Sequence, residues 1–142
     1  MGQPGKTGFM RYVTDTHALY WHLTKNPKLS KKAKKIFQEA DTGVHQVMIP
    51  GIVLIEMVYL VEKSRINETS LTEVFELLDT VGGSYDVAPL NKDTVTALQQ
   101  ISREVVPDMP DRIIAATALQ LDIPLITRDR QIKNAGNLKT IW

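Results

Sequence analysis

The chain of 142 residues contains no cysteine. That excludes a disulfide framework, a thiolate zinc site and thiol catalysis. Long hydrophobic runs are missing too. The longest nearly apolar stretch, Ile52 to Val61, is interrupted by Glu56 and falls far short of the roughly 20 residues that span a bilayer. No basic-then-apolar segment marks the N-terminus as a secretory signal, so the cytoplasm is the expected compartment, with no membrane partner. Aromatic residues make up 6% of the chain, and their placement shows no ladder of the kind that grips single strands by stacking. An excess of one charge sign is lacking as well, with 17 Lys+Arg against 16 Asp+Glu. What is present is 43% hydrophobic residues, enough for one globular core at a length that suits one domain.

The near-neutral total hides an uneven spread. Residues 1–35 hold eight Lys/Arg and one Asp, while residues 36–142 hold nine Lys/Arg and fifteen Asp/Glu. A polyanionic partner is therefore not excluded; any basic surface is local. Residues 1–8, rich in glycine and polar groups, read as a flexible leader, and residues 9–142 as a single domain.

Strands and helices alternate along that domain. Phe9–Thr14, Val44–Ile49, Tyr85–Leu90 and Pro124–Thr127 read as strands, with Lys139–Trp142 as a possible fifth at the edge. Helices are expected over Asp15–Leu23, Ser30–Ala40, from Pro50 to Lys63, over Ser70–Val81, from Asn91 through Ile101, and over Asp111–Leu121. Pro50 suits the first turn of its helix, and Pro107 to Pro110 reads as a rigid loop. Strands separated by helices imply right-handed crossovers, hence an α/β fold with a parallel sheet and helices on both faces. In such sheets the site lies beyond the carboxyl ends of the strands, where the strand order reverses.

Four acids fall where that rule points. Asp15 directly follows the first strand, Asp129 follows the fourth, Asp111 opens a helix with Asp108 one turn earlier, and Glu56 lies two turns into the helix after the second strand. Each Asp also has a purely structural explanation, as an N-cap or a first-turn acid that complements the helix dipole. Glu56 is harder to dismiss, because an acid on a mostly apolar helix is rarely buried without a partner; a solvent-facing stripe is the alternative. As a set, carboxylates converging in a dry cleft repel one another unless a cation sits between them. An oxygen-only donor set favours Mg2+ or Mn2+ over zinc. Such an ion activates water and offsets the charge that builds up when a phosphodiester is hydrolysed.

Asp15-Thr16-His17-Ala18-Leu19-Tyr20-Trp21, the isolated Glu56, Asp111-Arg112-Ile113-Ile114-Ala115-Ala116-Thr117-Ala118 and Thr127-Arg128-Asp129 together resemble a PIN domain, and more narrowly the VapC-type toxins of prokaryotic toxin–antitoxin pairs. The resemblance spans roughly residues 11–141. It implies a three-layer α/β/α sandwich around a parallel sheet of four to five strands, and a Mg2+- or Mn2+-dependent ribonuclease. The family's acidic positions carry over onto Asp15 and Asp111 as principal metal ligands, Glu56 as a ligand or the group that orients water, and Asp129 as a further ligand. Asp108 is an additional acid of lower rank, and Thr127 offers a hydroxyl that can orient a ligand. The resemblance also implies a homodimer and a cognate antitoxin that blocks the cleft; the apolar helices Ile52–Val61 and Leu71–Val81 can supply the dimer surface, or their apolar pattern reflects burial in the monomer core. A PIN nuclease of RNA processing without an antitoxin, or a binding-only domain, are the alternatives.

Basic residues offer phosphate contacts. Lys31, Lys34 and Lys35 share one helix face, with Lys28 just before it and Lys32 to the side, and can hold RNA phosphates or form a solvated face. Arg112, Arg128 and Arg130 adjoin the acids in sequence and can clamp phosphate or pair with surface acids; not all three can point into one cleft. His17 reads as a surface histidine, with substrate contact as the alternative, His22 and His45 lack metal-ligand spacing, and Trp21, Tyr59 and Phe75 read as core or interface aromatics. A receiver-type phosphoacceptor is disfavoured, because the third strand carries only Asp86, in its middle. A haloacid-dehalogenase-like phosphatase is disfavoured by His17, which stands where a second Asp is needed.

Overall fold

Short, largely apolar runs form the five strands, and beyond three of them a polar residue, Asp15, Asn91 or Asp129, caps the helix that follows. The computed structural model describes residues 8–142; the expected leader lies, apart from Gly8, outside the described residues. The elements are β1 (Arg11–Thr14), α1 (Thr16–Leu23), α2 (Lys31–Asp41), β2 (Gln46–Pro50), α3 (Gly51–Glu62), α4 (Glu68–Asp79), β3 (Tyr85–Ala88), α5 (Lys92–Leu98), α6 (Met109–Leu121), β4 (Leu125–Ile126), α7 (Arg130–Asn134) and β5 (Thr140–Ile141). All strand pairs are parallel, in the order β3-β2-β1-β4-β5.

That order has one functional consequence. From β1 the chain winds outward through β2 and β3, then returns to add β4 and β5 on the other side of β1. Right-handed crossovers place the helices of the two halves on opposite faces of the sheet. The switch point is therefore the gap between the carboxyl ends of β1 and β4. The core beneath it is apolar and closed: Val13, Val47, Ile49, Leu125 and Ile126 are fully buried on the strands, against Leu19, Phe37, Met57 and Ile114 from the helices.

Several boundaries differ from the expectations, each for a local reason. Pro50 ends β2 and precedes the first turn of α3 instead of sitting within it. Helix α4 starts at Glu68 because the Asn67 side chain accepts the Thr69 N–H. Helix α5 stops at Leu98, short of Ile101: the N–H groups of Gln99, Gln100 and Ile101 each reach back only three residues, to Thr96, Ala97 and Leu98, which winds the chain into tight turns. Helix α6 begins at Met109 rather than Asp111, with Asp108 as its N-cap and Pro110 in its first turn. The short helix α7 was not expected from the sequence; Asp129 starts it by accepting the Gln131 and Ile132 N–H groups.

Candidate active site

Asp15 is the first residue beyond β1. One of its carboxylate oxygens accepts the Ala18 N–H at 2.8 Å, capping α1, and the other accepts the Thr127 hydroxyl at 2.6 Å. Thr127, fully buried just beyond β4, also accepts the Asp129 N–H at 3.0 Å. One hydroxyl thus ties the ends of β1 and β4 together across the switch point. Asp15 is only 9% exposed, and burial pushes its carboxyl above the usual range, against the Thr127 and Ala18 hydrogen bonds that favour the charged form.

Glu56 approaches from α3, half-buried, and accepts the hydroxyl of Thr16, the first residue of α1, at 2.5 Å. Asp111 approaches from the first turn of α6. Its carboxyl is pushed up to about 8, first by burial and then by the charges of Asp108, Asp129 and Glu56. Acids on three helices therefore act on Asp111 through one shared field. Asp15, Glu56, Asp111 and Asp129 line a single cleft of about 430 Å³. Asp108 stands at its margin, exposed, accepting the Asp111 N–H at 3.1 Å.

Asp15, Asp108 and Asp129 are all helix N-caps, so the structural explanation of each holds alongside its place at the site. Asp111 makes no capping bond, but as the acid in the first turn of α6 it complements the helix dipole, so its structural explanation holds too.

The basic residues are sorted differently from their order in sequence. Arg128 lines the cleft, with its guanidinium 4.7 Å from the centre of the Trp21 ring. Arg112 points away: it donates to the carbonyls of Ile101 at 2.9 Å and Leu98 at 3.1 Å, closing the end of α5, and this corrects its reading as a phosphate clamp. Arg130 is exposed at the start of α7, outside the cleft lining. Lys31 and Lys34 line a second groove, of about 670 Å³, which meets the cleft at Trp21; Lys35 is exposed on α2 outside it.

Three contributors were not placed at the cleft by the sequence. Thr16 holds Glu56, and Lys28 and Trp21 line the cleft. Thr16 sits beside an acid at a strand end, which was a usable signal; Lys28 was grouped with the lysines of the basic helix, but a loop residue's direction is not periodic and did not place it at the cleft. His17 is exposed, as a surface histidine, and also lines the cleft. The other two histidines are structural. His22 stacks on Phe37 and bonds Asp41 at 2.9 Å. His45 accepts the Met10 N–H on Nδ1 and so donates from Nε2 to Glu39.

Among the described residues, no three acids stand close enough to cage a cation outright. The arrangement still fits a hard divalent ion that keeps several waters. Its donors at the cleft are carboxylate oxygens, and the mutual charge that raises Asp111 is what such an ion relieves.

A family model for the PIN domain matches residues 12–138. The chain is 27% identical over 137 residues to Ribonuclease VapC22 of Mycobacterium tuberculosis, covering 92% of this chain and 97% of that one. Among solved structures it resembles VapBC2 from Rickettsia felis bound to a fragment of promoter DNA, with a TM-score of 0.70 at 19% identity over 93% of this chain and 98% of that one. It also resembles DNA-bound VapBC from Salmonella typhimurium, with a TM-score of 0.68 at 17% identity over 93% and 97% of the two chains.

Proposed function

This chain belongs to the PIN-domain family, and from that premise we propose that it is a Mg2+- or Mn2+-dependent endoribonuclease, the toxin of a toxin–antitoxin pair. The observation that carries the reading is the convergence of Asp15, Glu56, Asp111 and Asp129 on one cleft at the switch point, with Asp111 held up to about 8 first by burial and then by the charges of its neighbours. A structural protein gains nothing from four uncompensated acids in one cleft; a hydrolase does, through the cation they attract. The relative of 27% identity is named a ribonuclease, which supports RNA as the substrate.

When bound, the divalent ion supplies an activated water and offsets negative charge at phosphorus. The chain's own groups position it. Asp15, fixed by Thr127 and the Ala18 N–H, and Asp111, on the rigid first turn of α6, are the principal ligands. Asp129 is a further ligand, its loop held by Thr127. Glu56, oriented by Thr16, directs the attacking water or joins the ligands. Asp108 supports Asp111 from the margin. Retention of all four acids favours catalysis over a binding-only role.

The solved relatives named above are VapBC assemblies, which supports a cognate antitoxin as partner. Helix α3 exposes Ile55 and Tyr59, each more than half exposed, and α4 exposes Phe75. These residues are the proposed homodimer surface.

Two experiments test the reading. Cleavage of single-stranded RNA is expected to need Mg2+ or Mn2+ and to stop in EDTA. Induced expression is expected to arrest growth, with relief from co-expression of a small neighbouring reading frame. Cleavage without growth arrest, and without such a frame, favours the RNA-processing nuclease over the toxin.

A further inference from the structure

Trp21 stands where two depressions meet: its ring lines both the acid cleft and the groove bearing Lys31 and Lys34. Two cations sit on it, the Arg128 guanidinium at 4.7 Å and the Lys28 ammonium at 5.8 Å from the ring centre. Both line the cleft that holds four acids, yet neither makes an ion pair. The ion pairs among the described residues are His22–Asp41 and His45–Glu39. An indole face attracts a cation without cancelling its charge, so the ring holds these two at the cleft with their charge available to a ligand. Trp21 is itself only 8% exposed and packs edge-on against Trp142; with that little free surface it serves as a seat for cations, not as a platform for a base.

The groove is lined by Lys25, Lys31 and Lys34 against one acid, Asp41, which is taken up by His22 and the Tyr85 hydroxyl. Lys31 and Lys34 are exposed in the first turn of α2, which carries no acid. Cations at a helix N-terminus oppose its dipole, so local helix stability does not explain them. A neutralising phosphate does.

We infer that Arg128 and Lys28, seated on Trp21, and then Lys31 and Lys34 in the adjoining groove form one track that carries the phosphates of a single RNA strand as it leaves the acid cleft. The track rests on the ribonuclease reading for the identity of that strand. It gives the two charge signs separate tasks: the acids face the phosphate to be cut, and the track holds the phosphates that follow it. Recognition through phosphates carries no sequence information, so the track sets affinity and strand path rather than the cleavage sequence. The strand is single because the reacting phosphate must reach Asp15, at 9% exposure beneath the rim.

The test uses the full chain carrying Asp111→Asn, with a short labelled single-stranded RNA in Mg2+ read by fluorescence anisotropy across a salt series. Arg128→Ala and Lys28→Ala are each expected to lower the slope of log affinity against log salt by about 0.7, and the Lys31→Ala/Lys34→Ala pair by about twice that, alike on unrelated sequences. Lys139→Ala, which precedes β5 at the opposite end of the sheet, is expected to leave the slope unchanged. In the cleaving protein, the track substitutions are expected to raise KM more than they lower kcat. Unchanged slopes and KM in the track variants, or an equal loss in Lys139→Ala, overturn the track. Cleavage with unmoved slopes removes the track and leaves the nuclease; the expected slopes without cleavage remove the nuclease and leave a strand-binding track.

Discussion

Asp111 is the side chain on which the field of the site falls. Its carboxyl is raised to about 8 by burial and by three neighbouring acids, so it binds a proton in the folded state that it releases when unfolded near neutral pH. Asp111→Asn is expected to cut RNA cleavage by at least about 100-fold and to raise the melting temperature of the metal-free protein at pH 8, read by circular dichroism. It is a cleaner probe than Asp15→Asn, since Asp15 caps α1 and receives the Thr127 hydroxyl. Thr127→Val removes the donor to Asp15 and the acceptor of the Asp129 N–H together. Leaving these buried groups unpaired is expected to cost about 2 kcal/mol in denaturant unfolding and to lower cleavage by about 10–100-fold. Arg112→Ala is expected to cost about 1–3 kcal/mol of stability through the lost bonds to the end of α5, with the salt dependence of RNA binding unchanged; a reduced salt slope contradicts its structural role. The aspartates were legible in sequence because strand ends and helix starts mark their positions, and Glu56 because it stands alone in the apolar run from Ile52 to Val61. Arg112 was not, because adjacency to Asp111 along a helix says nothing about which way its side chain points.

Helices present these side chains at angles that their spacing alone does not give. Helix α3 is apolar on nearly every side, yet its faces divide: Ile52, Val53 and Met57 enter the core, Glu56 turns to Thr16, and Ile55 and Tyr59 face outward. If that outward face pairs two copies, Ile55→Lys with Tyr59→Glu is expected to convert a dimer to a monomer by light scattering while shifting the melting temperature of the dilute protein little. A monomeric wild type, or a dimer that survives the change, removes this surface from the account. The longer helices were legible from apolar periodicity and their caps. The end of α5 was not, because its final turns are three-residue bonds completed by Arg112, a residue eleven positions beyond Ile101. Helix α7 escaped because five residues are too few to show a period.

At the scale of the molecule, the sheet order places β1 beside β4 and so brings Asp15 to Thr127 from 112 positions away. Alternation of strands and helices was enough to read a parallel sheet and to look beyond its carboxyl ends. The strand order was not readable, because crossovers of similar length can add a strand on either side. The acids collected there make stability depend on pH and on cations. Asp111 is raised from the ordinary carboxyl value near 4 to about 8. Its contribution is therefore fully present below about pH 4 and is lost as pH rises toward 8 in the metal-free protein. Mg2+ or Mn2+ is accordingly expected to raise the melting temperature more at pH 8 than at pH 5, since deprotonated ligands bind the ion; an equal rise at both pH values, or none, contradicts a cation site that includes Asp111. The most direct test of the central claim is a side-by-side incubation of wild-type and Asp111→Asn protein with a mixed pool of single-stranded RNAs, in Mn2+, in Mg2+ and in EDTA. The account predicts cutting by the wild type with either metal, none in EDTA and none by the folded variant. Cutting that persists in EDTA, or in Asp111→Asn protein, would contradict it.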